Sequence, residues 1–186
     1  MARALDLPYI EGDDLHPRSN IEKMSSGHPL TDSDREPWLK LIRTTAEHMA
    51  LDVLQSTSEG NIIKKRGVVI SCSALKRRYR DVLRGLVVGQ QQQENNNNVT
   101  ESPFSSMMKT VFVYIEGTRD VLMERMTKRI GHFMKPSMLD KQLEALEGPV
   151  HHEEEGIIVI SMMDSTENQV KVAQQGLKRV LNIMDV

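Results

Sequence analysis

GVVISCSALKRRYRDVLR, residues 67–84, decides the fold. Gly67 to Ser71 is a short continuous run rich in β-branched apolar residues, the composition of a strand buried on both faces of a parallel sheet. The basic stretch Lys76 to Arg84 then reads as a helix, and a strand followed at once by a helix is the repeating unit of an α/β fold. The alternation recurs outward in both directions. Upstream, Met1 to Leu7 reads as the tail of a helix that Pro8 ends before a short extended piece, Tyr9 to Glu11. From Pro37, suited to a first helical turn, an amphipathic pattern through Trp38, Leu41, Ile42, Thr45, Met49 and Val53 predicts a helix of about four to five turns. Downstream, Thr110 to Ile115 predicts a strand and Arg119 to Arg129 its helix, with Val121, Leu122, Met126 and Ile130 as the apolar stripe. Leu139 to Leu146 predicts a further short helix and Ile157 to Ser161 the last strand. Asp164 with Glu167 reads as a capping box opening a closing helix. The expected architecture is a parallel, doubly wound sheet.

With 186 residues, 39% hydrophobic and 27% charged, the chain has the profile of one α/β domain, residues 1–186, carrying an appended lid. A net charge of -2 lacks the basic excess of a nucleic-acid or membrane-surface binder, so small-molecule partners are expected. The single cysteine, Cys72, excludes an internal disulfide framework and a thiolate zinc site. No window approaches the roughly 18 apolar residues of a membrane span, and the opening residues form no signal-like apolar run, which together predict a cytoplasmic protein. Gln90 to Gln93 and Asn95 to Asn98 are polar homopolymer tracts. Residues 85–108 around them hold too few apolar groups to offset their ordering entropy and are expected to form a disordered surface insertion. An interaction protein that uses this insertion is one reading of the tracts.

Chemistry concentrates elsewhere. EGDDLHPRSNIEKMSSGHPLTDSDREPWL, Glu11 to Leu39, crowds acids, bases and two histidines into a segment too polar for a core, delivered from the carboxyl end of the Tyr9–Glu11 strand. Ligands bind at such strand ends in open α/β sheets. Asp13 there is either a working carboxylate or part of a solvated acidic loop near a helix start. Asp13, Asp14, His16 and His28 as a metal cluster suffer from irregular spacing. Arg35 offers a planar fork that matches a carboxylate in two hydrogen bonds. Ser73, Lys76 and Arg80, just beyond the Gly67–Ser71 strand, are placed to reach substrate or phosphate. Cys72 reads as a small buried hydrophobe rather than a nucleophile. Arg125 and Arg129, four apart, share one helix face.

Three separated segments in order, Glu11–Leu39, CSALKRRYRD (Cys72–Asp81) and RIGHFMKPSMLDKQLEALE (Arg129–Glu147), resemble the gluconokinase family of small ATP-dependent, P-loop sugar-acid kinases. The resemblance implies phosphoryl transfer from ATP, with Mg²⁺, to D-gluconate, giving 6-phospho-D-gluconate. It casts Asp13 as the carboxylate that takes the proton from the 6-hydroxyl and Glu11 as an outer contact of the Mg²⁺ shell. It implies a substrate pocket made by His16, Arg18, Asn20, Lys23, Arg35, Ser73, Ala74, Lys76, Arg80 and His132. Residues 130–147 become a lid, and Arg125 and Arg129 stabilise charge on the transferring group. A homodimer is common in such proteins. The family's GxxxxGK[ST] loop does not occur in the sequence. The expectation is therefore a P-loop-kinase sheet without its first, central strand or its phosphate cradle, those parts lying before Met1 in a fuller form. A catalytically dead relative that retains the sugar-acid pocket as a binding or regulatory protein is the alternative.

Overall fold

The computed structural model of the chain describes residues 1–55, 67–86, 108–128, 139–150 and 153–182. Strands β1 (Tyr9–Glu11) and β2 (Val69–Ser71) run parallel, with Tyr9 opposite Val69 and Glu11 opposite Ser71. Strands β3 (Phe112–Glu116) and β4 (Ile157–Ser161) form a second parallel pair, from Phe112 opposite Ile157 to Glu116 opposite Ser161. Among the described residues the ladder stops between β2 and β3, so the parallel strands stand as two two-stranded pieces. For the same reason β2 is half-buried along its length, not enclosed on both faces as its composition predicts.

Helix α1 (Ala2–Leu5) precedes β1, which leads through a 3₁₀ turn (Gly12–Leu15) into α2 (Arg18–Ser25) and α3 (Asp32–Gln55). Helix α4 (Arg77–Arg84) follows β2, α5 (Arg119–Lys128) and α6 (Leu139–Ala145) follow β3, and α7 (Thr166–Leu181) follows β4. Helix α3 starts at Asp32, not at Pro37. The start belongs to a reciprocal cap: Thr31 N–H donates to the Asp34 carboxylate at 2.7 Å, and Asp34 N–H donates to Thr31 Oγ1 at 3.3 Å. Pro37 sits inside the helix, close enough to its amino end that the missing donor costs a single helical bond. At α7 the cap is Ser165, whose Oγ accepts Asn168 N–H at 3.2 Å; Asp164, the residue read as the cap, instead accepts from Asn168 Nδ2.

The main core lies between α3 and α4, where Trp38, Leu39, Ile42, Tyr79 and Leu83 are buried together. Leu39, 1% exposed, occupies the inward position that the sequence pattern gives to Leu41, which is 46% exposed. Under α7 a second cluster joins Ile158, Ile160 and Ala173. Arginines connect what the backbone ladder leaves apart. Arg43 of α3 donates through Nη1 to Leu83 O and to Thr110 Oγ1, each at 3.1 Å. Arg84 lies 4.8 Å from the Phe112 ring centroid. Arg80 donates through Nε to Glu154 at 2.8 Å and through Nη2 at 2.5 Å. The Gln and Asn tracts, Arg129, Ile130, His132 and the first part of the expected lid lie outside the described residues. Among the described residues no helix is long and apolar enough to cross a membrane.

Candidate active site

The parallel pairing of β1 with β2 brings their carboxyl ends together, and the side chains there interlock. Tyr9 hydroxyl donates to Glu11 Oε2 at 2.7 Å, and Ser71 Oγ donates to Glu11 Oε1. The chain turns at once into the 3₁₀ segment carrying Asp13, and Gly12 makes that turn possible. A methyl on Gly12 would overlap the Ser71 carbonyl oxygen and crowd Cys72 Cβ. Trp38 Nε1–H donates to Gly12 O at 2.8 Å, so the fully buried indole of α3 holds the backbone beside Asp13. Cys72 packs against the same cluster, and burial, reinforced by the Asp13 and Glu11 charges, pushes its thiol up to about 12. It is not a nucleophile at neutral pH.

His16 stacks on Trp38 with ring centroids 4.1 Å apart and 15° between planes. Asn20 Nδ2 donates to Asp34 O at 2.9 Å and lies 3.3 Å from His16 Nδ1. A carbonyl only accepts, so the amide nitrogen faces both groups and His16 Nδ1 is an acceptor. The imidazole proton is then on Nε2, which points at Asp13 Oδ1 from 3.9 Å. Burial, with the Arg35 charge, pushes the His16 pKa down to about 4, so the ring is a neutral donor at physiological pH.

Arg35 is 7% exposed, and its Nη1 donates to Ser73 Oγ at 3.5 Å. Burial lowers its pKa from the ordinary arginine value while Tyr79, Asp13 and Asp34 counter that shift. Arg35 lines a cavity of about 290 Å³ between the start of α3, the start of α4 and α6. A buried cation in a cavity wall is suited to receive an anion. Around it, Lys76 Nζ contacts Asp32 Oδ1 at 3.0 Å and Oδ2 at 3.3 Å, while Arg78 and the Tyr79 hydroxyl also bind Asp32. The opposite wall is α6, which contributes Lys141, Gln142 and Ala145. It is fixed at both ends. Arg119 grips Asp140 at 2.6 and 3.0 Å, Glu147 N–H donates to Leu75 O at 2.8 Å, and the Glu147 carboxylate accepts Arg77 N–H at 2.7 Å.

Of the site residues expected from the sequence, Arg35 and Lys76 line the cavity, Ser73 bonds to Arg35, and Glu11, Asp13 and His16 stand at the turn after β1; others lie elsewhere. Arg18 is exposed and pairs with Glu22 at 2.8 Å, a surface contact of small energetic weight. Lys23 is engaged with Asp34 at 2.6 Å, and that bond with those from Thr31 holds the Asp34 carboxyl well below the usual range. The pair ties α2 to the start of α3 and does not line the cavity. Arg80 is 3% exposed, and besides Glu154 it donates to the carbonyls of Ala74, Leu75 and Glu147. With its donors so engaged it is a clamp between α4 and the chain before β4, not a substrate contact. Arg125 donates to Met162 O at 2.6 Å, a tether to the carboxyl end of β4. Ala74 presents its carbonyl to Arg80 and packs its methyl on the main core. His28 lies near Ser26 Oγ at 3.0 Å, and among the described residues no three His, Cys, Asp or Glu converge as metal ligands. Tyr79, Asp32 and Lys141 are cavity residues the sequence reading did not pick out. Tyr79 follows Lys76 by three positions, the interval that places two residues on one helix face, and that was its available signal.

No protein-family model matches the chain. A probable gluconokinase of Schizosaccharomyces pombe is 36% identical over 98% of this chain and 80% of its own length. The thermoresistant gluconokinase of Escherichia coli is 38% identical over 86% of this chain and 73% of its own. A solved gluconokinase from Sinorhizobium meliloti superposes with a TM-score of 0.69 at 39% identity, covering 97% of this chain and 82% of that one.

Proposed function

The chain belongs to the gluconokinase family, and from that premise we propose that it serves ATP-dependent phosphorylation of D-gluconate to 6-phospho-D-gluconate. The observation that carries the assignment to this site is Arg35, buried at 7% exposure, lining a cavity and within the electrostatic reach of Asp13. A sugar acid supplies what such a site lacks: a carboxylate for the guanidinium and hydroxyls for the neutral donors around it. Asp13 takes the proton from the 6-hydroxyl as that oxygen bonds to the γ-phosphorus and the bond from that phosphorus to the bridging oxygen breaks, releasing ADP. His16, neutral and with its proton on Nε2, orients a hydroxyl and leaves Asp13 ionised. Ser73 steadies the Arg35 fork, and Lys76, held by Asp32, forms the wall beside it. Arg129 and His132, outside the described residues, are assigned to the same set by the family resemblance alone.

Glu11 is a hard oxygen donor at a strand's carboxyl end, two residues before Asp13, the kind of ligand that Mg²⁺ takes singly or in pairs beside phosphates. With the nucleotide the ion would supply neutralisation of phosphate charge. Glu11, whose two oxygens accept from Tyr9 and Ser71, would hold it as an outer contact. The reading extends to the sheet. In a P-loop kinase the central strand would stand between β2 and β3, which is where the ladder stops among the described residues. The phosphate-cradling GxxxxGK[ST] loop that follows that strand is not found in the sequence.

The test is formation of 6-phosphogluconate from ATP, Mg²⁺ and D-gluconate, run beside direct gluconate binding. Asp13→Asn should lower kcat by about a hundredfold or more while gluconate affinity changes little. Unchanged kcat in the variant would remove Asp13 as the base. The absence of both turnover and gluconate binding in the wild-type chain would overturn the reading.

A further inference from the structure

Three cations line the cavity, and they differ in what already neutralises them. Arg35 faces the carboxylates of Asp13 and Asp34. Lys76 is paired with Asp32. Lys141, on the opposite wall, has no ion-pair partner among the described residues, and its helix is anchored by the Arg119–Asp140 pair and by buried Leu139. Among the described residues the cavity cation without an ion-pair partner therefore sits on α6, an anchored helix that shares the cavity with Arg35.

We propose that Lys141 is a specificity-determining residue of the acceptor pocket, closing on the substrate's acid group from the side opposite Arg35 and so separating polyhydroxy acids from neutral polyols. The proposal rests on the aldonate reading above and adds to it a residue and a selection rule. A carboxylate has two oxygens with several lone pairs, so a fork on one side leaves acceptor capacity for an ammonium on the other. Lysine suits that task because its charge is a point on a flexible stem that follows the ligand. An alcohol at the same place would gain far less from Lys141, since charge-assisted hydrogen bonds are about twice as strong as neutral ones.

The experiment is calorimetric titration of the full chain with D-gluconate and with its neutral hexitol counterpart, for wild type, Lys141→Gln and Lys141→Arg. Lys141→Gln should weaken gluconate binding by about tenfold or more and hexitol binding by less than about twofold, and Lys141→Arg should recover most of the loss. A purely structural role would weaken both ligands alike, and that result, or unaltered gluconate affinity in Lys141→Gln, overturns the assignment to Lys141 alone. Failure of the wild-type chain to bind gluconate would instead remove the aldonate reading and this proposal with it.

Discussion

Replacing Arg80 by methionine tests whether a buried ion pair joins the two halves of the chain. Arg80 and Glu154 have side chains 3% and 4% exposed, so the substitution leaves a carboxylate in the interior with only Arg84 Nη2, at 3.2 Å, still opposite it. It also orphans carbonyl contacts at Ala74, Leu75 and Glu147. Breaking one side of such a pair costs about 3–5 kcal/mol. The remaining Arg84 contact places the expected loss near the lower end, about 3 kcal/mol, because the charge is not wholly stranded. That is a large part of the about 5–15 kcal/mol that holds an ordinary domain together. Trp38, the single tryptophan and fully buried, reports unfolding in urea by its fluorescence. The Arg80→Met midpoint should fall with little change in slope. Adding Glu154→Leu should return most of the loss, since an apolar pair of similar volume replaces the ions without a desolvation cost. A single-variant loss below about 1 kcal/mol, or a double variant no better than the single, would refute the claim that this pair clamps α4 to the chain before β4.

Other expectations follow from the same geometry. Gly12→Ala forces a methyl into the Ser71 carbonyl and should destabilise by about 3 kcal/mol, read as a lower urea midpoint; tolerance of the change would mean that β1 and β2 are further apart than they stand here. His16 falls from 6.5 to about 4 on folding, so the unfolded chain binds that proton first. Its contribution to stability is complete above pH 6.5 and is lost as pH drops from 6.5 towards 4, and His16→Gln should flatten that part of the pH profile; parallel profiles would reject the neutral, buried histidine. Arg35→Ala should raise the gluconate KM by about ten- to a hundredfold, and an unaltered KM would take Arg35 out of the acid-binding role.

Local signals carried most of the elements. Tyr9–Glu11 and Ile157–Ser161 were legible to the residue, because proline or a switch to polar residues bounds each short apolar run. The start of α3 was misplaced since Pro37 is a conspicuous helix-start signal, whereas the Thr31–Asp34 cap needs no unusual residue. Asp164 and Ser165 are adjacent and both are good caps, and only the backbone path chooses between them. The site divides in the same manner. Asp13, His16 and Arg35 lie within one short polar segment, so the sequence places them together. Arg80 finds Glu154, and Arg119 finds Asp140, across 74 and 21 residues, and nothing in the local pattern of a basic helix says which of its arginines will be buried. Lys141 is one more surface-type lysine until the fold sets its helix against the mouth of the cavity.

The contact among Arg43, Leu83 and Thr110 bears on how the gene can vary. Thr110 Oγ1 donates to Leu83 O at 3.1 Å, so the chain leaves the end of α4 and re-enters ahead of β3 at almost the same point. The junction is made by Arg43, Leu83 and Thr110 themselves, so its hydrogen bonds call on none of the residues between positions 86 and 108, and loop-closure entropy grows only slowly with the number of residues there.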